Sequence, residues 1–278
     1  MIRIAYLFIL LILLTPGLEG QVRFEAGQND YVDENKGVVY NKEFTVDIKL
    51  HTNGFALGVN VGRLKSFYRT RYFNIELGEI KHPKEFRQSI DFQVPNTSKV
   101  SRAFIYGKEN NFLVLRGGLG EKRYLTEKDK RRGLAVGISY EAGPSLGILK
   151  PYYLELIYRL DGGSEDPNQD YEIRSEKFSD ANAEQFLAIN SINTIYGSSG
   201  FTKGLSELSL IPGIHAKCAV HFDWGAFDEF VKAIEAGVMI DVFPRRVPIM
   251  VESDLVTSSK NKPFFINLYL NLQLGKRW

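Results

Sequence analysis

The feature that most constrains this chain lies at its C-terminus, where Phe264, Ile266, Leu268, Leu270, Leu272 and Leu274 alternate with Phe265, Asn267, Tyr269, Asn271, Gln273 and Gly275. A helix would scatter the six apolar residues of the first set around its circumference. A strand puts them all on one face and mostly amides or glycine on the other. Ten or so residues of two-faced strand is the length a tilted membrane strand needs.

The same period recurs upstream. Phe44, Val46, Ile48 and Leu50 alternate with Thr45, Asp47, Lys49 and His51, and Phe55, Leu57, Val59 and Val61 with Ala56, Gly58, Asn60 and Gly62. Thr52-Asn53-Gly54 lies between them, and Asn-Gly is a strong hairpin signal. Further alternating segments centre on 73–77, 113–122, 134–140, 152–158, 214–222 and 234–242, giving nine two-faced strands. Their polar face is rich in Gly, Ala, Ser and Asn with isolated charges of both signs, as suits the interior of a narrow barrel better than bulk water. Aromatics gather near strand ends, among them Phe44, Phe55, Phe67, Tyr68, Tyr72, Tyr152, Tyr153, Phe264 and Trp278. These cues predict an all-β fold, an antiparallel transmembrane β-barrel rather than a secreted soluble β-domain. Single-chain bacterial barrels have even strand counts. A tenth strand is therefore expected between Gln21 and Tyr40, giving about ten strands with eight as the alternative.

The N-terminus fits export. Arg3 precedes an unbroken apolar run of 11 residues, Ile4 to Leu14, followed by Pro16-Gly17 and a small residue at Gly20. That is a secretory signal peptide over residues 1–20, cleaved between Gly20 and Gln21, and too short for a membrane-spanning helix. Residues 21–278 then form the barrel. No later segment carries 18 uninterrupted apolar residues, so a membrane-resident mature chain has to cross with strands. With 35 Lys+Arg against 33 Asp+Glu the chain has no electrostatic footprint for nucleic acid. The single cysteine, Cys218, has no disulfide partner in the chain.

Loop lengths set an expected orientation, since periplasmic turns are short and extracellular loops long. Ala142-Gly143-Pro144-Ser145 reads as a short periplasmic turn and about 161–207 as a long outer loop, with a helix over Asp180–Ile189 capped by Asp180. The same alternation puts Pro83 to Asn110 on the periplasmic side, where so long a connection is unusual.

Several segments in order, His51-Thr52-Asn53-Gly54-Phe55, Lys81-His82-Pro83-Lys84-Glu85, Tyr106-Gly107-Lys108-Glu109-Asn110-Asn111 and Ser145-Leu146-Gly147-Ile148-Leu149-Lys150-Pro151, give the chain a family likeness. It resembles uncharacterised outer-membrane β-barrel proteins of the Bacteroidota over most of its mature length. The ending Leu274-Gly275-Lys276-Arg277-Trp278 is similar to the aromatic-terminated last strand that barrel-insertion machinery reads in such proteins. The resemblance implies location and architecture, and it brings no activity, cofactor or functional residue.

The residues yield no catalytic, cofactor-binding or metal site. His215 and His221 share a strand face with Lys217, near Asp241 and Glu235, but strand positions six apart lie about 20 Å apart, too far for one metal. They read as lumen residues. Ser198-Ser199-Gly200 and Thr257-Ser258-Ser259 belong to no nucleophile motif with a nearby histidine. Gly117-Gly118-Leu119-Gly120 sits inside a strand with no following helix, which excludes a phosphate loop. Glu127-Lys128-Asp129-Lys130-Arg131-Arg132 joins two strands on the expected outer side, where it would face lipopolysaccharide phosphates or simply solvent. The informative set is the inward charges: Asp47, Lys49, Glu76, Arg116, Lys122, Glu141, Glu155, Arg159, His215, Lys217, Glu235 and Asp241. A selective pore would carry a ring of one sign, whereas mixed signs on adjacent strands pair and fill the interior.

The expected function is that of a non-enzymatic structural or accessory barrel of an envelope or secretion complex, its lumen largely closed, in the outer membrane of a diderm bacterium. Outer-membrane lipid and lipopolysaccharide, the barrel-insertion machinery and an envelope protein complex are the expected partners. The alternatives are a small porin or hydrophobic-ligand transporter, and a lipid-modifying enzyme.

Overall fold

A computed structural model describes residues 40–66, 68–89, 101–126, 134–159, 171–187, 195–226, 228–253 and 260–278. In chain order the strands are β1 (Lys42–His51), β2 (Gly54–Ser66), β3 (Arg69–Ile80), β4 (Arg87–Gln88), β5 (Phe104–Ile105), β6 (Asn110–Tyr124) and β7 (Ala135–Pro151). They continue with β8 (Tyr153–Arg159), β9 (Tyr171–Lys177), β10 (Ile195–Ser198), β11 (Ser209–Asp223), β12 (Phe230–Val242) and β13 (Phe264–Arg277). Eight of them close an antiparallel barrel in the order β1-β13-β12-β11-β7-β6-β3-β2. β10, β8 and β9 form a separate three-stranded sheet, and β4 pairs with β5.

The ten-strand expectation is therefore corrected to eight. The alternating segment at 152–158 is β8, which lies outside the barrel sheet and takes Glu155 and Arg159 out of the lumen set with it. The other eight alternating segments are the eight barrel strands. The signal peptide expected over 1–20 and residues 21–39, where the tenth strand was sought, fall outside the described residues.

Register follows the pattern of the sequence. β1 and β2 pair from Lys42↔Arg63 to His51↔Gly54, leaving Thr52-Asn53 as a two-residue loop. Gly54 has φ +153°, and a Cβ there would lie 2.1 Å from the Glu79 carbonyl oxygen, so this corner tolerates only glycine. At the other edge of β1, Phe44↔Lys276 through Leu50↔Leu270 closes the barrel onto its last strand.

The turn expected at Ala142–Ser145 does not form. β7 runs straight through it, paired with β11 along its length, including Pro144 opposite Ile214. On its other side the β6–β7 pairing lapses between Arg116↔Ser145 and Leu119↔Ala142, where Gly117 and Gly118 stand opposite the proline. A proline has no N–H for a ladder, and it is accommodated here because the neighbouring ladder is interrupted. One strand instead of two changes the parity of everything upstream. The connections 81–109, 152–208 and 243–263 all leave the barrel at one end, the cap end. Lys42, Arg277 and the connections β2–β3, β6–β7 and β11–β12 share the other, the terminal end. The 83–110 segment thus sits at the same end as 161–207, which removes the oddity of a long connection among short ones. The Glu127–Arg132 cluster itself lies outside the described residues, but the strands flanking it meet at the terminal end, opposite 161–207, with which the expected orientation grouped it.

The cap-end connections fold on themselves. Phe104, Leu154, Leu156, Phe186, Leu187, Ile195 and Val251 pack into a buried cluster. The helix expected over Asp180–Ile189 is shorter: a 3-10 turn at Asp180–Asn182 leads into Ala183–Phe186, and Ser179 rather than Asp180 is its N-cap. The Ser179 amide donates to Asn182 Oδ1 at 2.9 Å.

Candidate functional site

The barrel wall is inverted relative to a soluble protein. On β13, Ile266, Leu268 and Leu270 point outward at 57%, 62% and 59% exposure, while Asn267, Asn271 and Gln273 point inward at 0%, 1% and 2%. The same inversion holds on β1, where Phe44 to Leu50 face out and Glu43, Thr45, Asp47 and Lys49 are buried. The outward apolar run from Phe264 to Leu274 spans about 34 Å along the strand, or about 24 Å at a 45° tilt, matching the apolar band of a membrane barrel. Lys42, Arg63, Arg71, Arg123, Lys232 and Lys276 face outward beyond that band at the terminal end. Phe44, Phe230, Trp224 and Trp278 are exposed near them and Phe55 and Phe264 near the cap end. Tyr72, expected in such a girdle, is instead buried in the lumen, and Tyr152 belongs to the cap cluster.

Inside, paired charges fill the barrel. Arg116 from β6 is fully buried and clamps Asp241 of β12 with Nε to Oδ1 at 2.7 Å and Nη2 to Oδ2 at 3.0 Å. Its Nη1 reaches Glu76 of β3 at 2.7 Å. Glu76 also pairs with Lys49 of β1 and with Lys217 of β11, the latter at 2.9 Å. Lys217 continues to Glu141 of β7 at 3.0 Å, and His215 meets the same Glu141 oxygen at 3.1 Å. This one network ties six strands across the lumen. Nearer the terminal end, Asn60, Asn271 and Gln273 all donate to Asp47 Oδ2, at 2.8, 2.9 and 3.1 Å. Glu235 accepts from Asn271 and meets His221 Nδ1 at 3.0 Å. Lys122 bonds Glu43 and Gln273, and Arg277 joins Glu43 to Asp223 at 2.8 Å each. The expected pairing of inward charges across strands is what the barrel contains.

Glu43, Asp223 and Arg277 were missed from the sequence set although they sit in phase with it, one step beyond where the alternation was read: Glu43 with Thr45, Asp223 with His221, Arg277 with Gly275. Glycine makes the fit possible. A Cβ at Gly118 would stand 2.6 Å from Glu141 Oε1 and one at Gly120 2.3 Å from Tyr72 Cζ.

The cap end of the lumen is sealed differently. Ile80, Phe112, Val114, Leu149, Ile211 and Phe265 of the wall meet Phe243, Val247, Ile249 and Met250 of the β12–β13 connection in one buried cluster. Phe112 lies edge-on to Phe243 at 5.4 Å between ring centroids. Asn261 pins the strap: its Oδ1 accepts from the Ile249 and Met250 amides at 3.2 and 3.1 Å, and its Nδ2 donates to the Met250 carbonyl at 2.7 Å. An apolar stopper therefore lies over a charge-filled lumen.

His215 and His221 each hold a different carboxylate, and among the described residues no group of three or more His, Cys, Asp or Glu could hold a metal. Ser198 Oγ donates to the Ala103 carbonyl at 2.8 Å, and Thr257–Ser259 fall outside the described residues.

No protein-family model matches the chain. No curated protein matches it either. Among solved structures it is similar to the N-terminal β-barrel domain of OprF of Pseudomonas aeruginosa, at 8% identity and a TM-score of 0.34, over 86% of this chain and 98% of that one. Ail, the attachment invasion locus protein of Yersinia pestis, gives 8% identity and 0.34 over 86% and 95%, and Neisserial surface protein A 7% and 0.33 over the same shares.

Proposed function

We propose that the protein is an integral outer-membrane barrel that passes no solute and serves as a structural or accessory subunit, holding a folded cap at one end as its working surface within an envelope complex. The observation that carries this reading is the inverted wall: an outward apolar band of membrane height around a lumen of paired charges. A wall of that kind in water would expose one continuous apolar surface far larger than soluble proteins tolerate. With both ends of the barrel sequence at the end of shorter connections, the cap faces the cell exterior. Recognition of a partner belongs to the cap, because wall residues are committed to lipid and lumen. The stopper and the ion pairs beneath it speak against a porin.

Cys218 tests the reading directly. It is the only cysteine and points outward from the middle of β11. In intact outer membranes a charged maleimide leaves it unlabelled and a membrane-permeant bimane labels it, and both label it after boiling in detergent. Rapid labelling by the charged reagent in membranes would overturn the assignment, and stepwise ion currents in planar bilayers would overturn the closed lumen.

A further inference from the structure

A second feature lies outside the lumen, at the cap-end rim. A cavity of about 640 Å³ opens between the outer face of β3, β6 and β7 and the cap segments around Arg87, Arg102 and Ser198 to Phe201. Its floor is the outward residues Glu79, Asn111 and Lys150. These sit one outward step above Leu77, Leu113 and Ile148, so the cavity begins where the apolar band ends.

Its charges are unbalanced. Glu85 is taken by Lys108 at 2.6 Å and Glu79 by Lys81 at 3.5 Å. Lys150, Arg87 and Arg102 line the same cavity and have no ion pair among the described residues. Lys150 is 4% exposed, and its ammonium rests over the Phe201 ring, 4.6 Å from the centroid, with no carboxylate in ion-pair range among the described residues. A buried lysine without a counter-ion is costly and persists where an anion completes it. The Ser199 hydroxyl, also on the lining, is buried and has no hydrogen-bond partner among the described residues. Arg102 is held near Gly200, where a Cβ would come within 3.5 Å of its Nη1.

We propose that this cavity binds a phosphate group carried on the headgroup of an outer-leaflet lipid. The buried Lys150 calls for a negative charge, and the exposed Arg87 and Arg102 at the mouth add two positive charges that favour a dianion. A phosphate monoester brings roughly two negative charges, with three acceptor oxygens for Lys150, Arg102 and the Ser199 hydroxyl. The volume exceeds what a bare phosphate fills and leaves room for an attached sugar against the exposed faces of Phe201 and Tyr153. The position at the edge of the apolar band selects a lipid over a soluble ligand, and to that extent the inference rests on the membrane reading above.

The experiment is native mass spectrometry of the full chain in detergent with added lipid A, alongside the same lipid stripped of its phosphates and free glucose 1-phosphate as competitor. The expected result is retention of lipid A but not of its dephosphorylated form. The double variant Lys150→Met with Arg102→Gln should lose about tenfold or more in retention, from two charge-assisted contacts. Lys276→Gln, at the opposite rim, should match the parent. Equal retention of the dephosphorylated lipid, or no difference between the double variant and Lys276→Gln, would overturn the site. Competition by glucose 1-phosphate at the concentration of the lipid would keep the phosphate site and overturn its lipid source. The boiling-dependent shift in gel migration, run on every variant, separates loss of the site from loss of the barrel. Absence of that shift in the parent chain would sink the membrane reading itself.

Discussion

The barrel and the cap are built from the same kind of strand with opposite orientation. In β13 the apolar face looks out and the amides are buried, whereas in β8 Leu154 and Leu156 are buried at 0% and 1% in the cap cluster. Seen as sequence, Tyr152/Leu154/Leu156/Tyr158 alternates as cleanly as Leu268/Leu270/Leu272/Leu274. What distinguishes them is the medium on each side. A wall with hydrocarbon outside needs its polar groups paired inside, while a cap in water buries its apolar residues inward, and β8 does so on both faces, Leu154 and Leu156 on one and Ile157 against Tyr196 on the other.

The largest effect that tests this contrast comes from Arg116→Met. It leaves Glu76 and Asp241 without their guanidinium partner inside the barrel, and removal of one member of a buried pair costs about 3–5 kcal/mol. The urea midpoint of the folded protein in lipid should fall accordingly. Arg174→Met breaks the exposed Arg174–Glu172 pair of the cap sheet and should leave the midpoint where it was. Equal shifts would mean that the lumen pairs do no more than surface pairs.

Phe186→Ala empties the centre of the cap cluster, a change of about 3–5 kcal/mol for a buried phenylalanine. Hydrogen exchange should speed up across 153–158 and 171–177 while the boiling-dependent gel shift of the barrel stays intact. Loss of the shift would show that cap and barrel fold as one unit.

Leu268→Arg puts a charge in the middle of the outward band and should destabilise the barrel by about 2–4 kcal/mol in lipid. The same replacement at the exposed Leu205 of the cap should have no measurable effect on unfolding. A tolerated arginine at 268 would place that face against water.

The smallest effect is a pH dependence of the strap over the stopper. Burial, reinforced by the Glu252 charge and opposed by an Asn110 hydrogen bond, pushes the Glu109 carboxyl from 4.5 up to about 7. The Glu109 amide donates to the Ile249 carbonyl at 2.9 Å, so this group reports on the strap. A folded-state value above the unfolded one means that the native form holds a proton that the unfolded form has released. Its stability contribution is full below the unfolded value and is lost as pH rises through the folded one. Protection of the 247–251 amides, corrected for intrinsic exchange, should therefore drop between about pH 5 and pH 8. Glu109→Gln should flatten that dependence, and an unchanged profile in the variant would assign it to another group.

Much of the barrel was legible in the chain. The period of two marks all eight barrel strands, and the inward phase names most of the lumen's charged and histidine residues, because alternation is a property of each strand on its own. It also names Glu43, Asp223 and Arg277 once the phase is followed to the strand ends. The Ala142–Ser145 segment misled because Gly-Pro-Ser carries turn chemistry. Only the lapse of the β6–β7 ladder opposite Gly117 and Gly118 lets that proline stay in a strand. From that one error came the misplaced 83–110 connection.

The rim cavity could not be read from the sequence at all. Arg87, Arg102, Lys150 and Ser199 are far apart in the chain and carry no shared motif. They meet because two connections, 81–109 and 152–208, leave the barrel at the same end, beside the end of β7. By itself, then, the sequence determined which residues share a strand face and that charges of both signs line the inner one. The tertiary structure decided how many strands close the wall, which alternating segment leaves it for the cap, and which distant charges find partners. The physical reason is that alternation is local, whereas closure, pairing and the medium on each face depend on contacts between segments that the period does not encode.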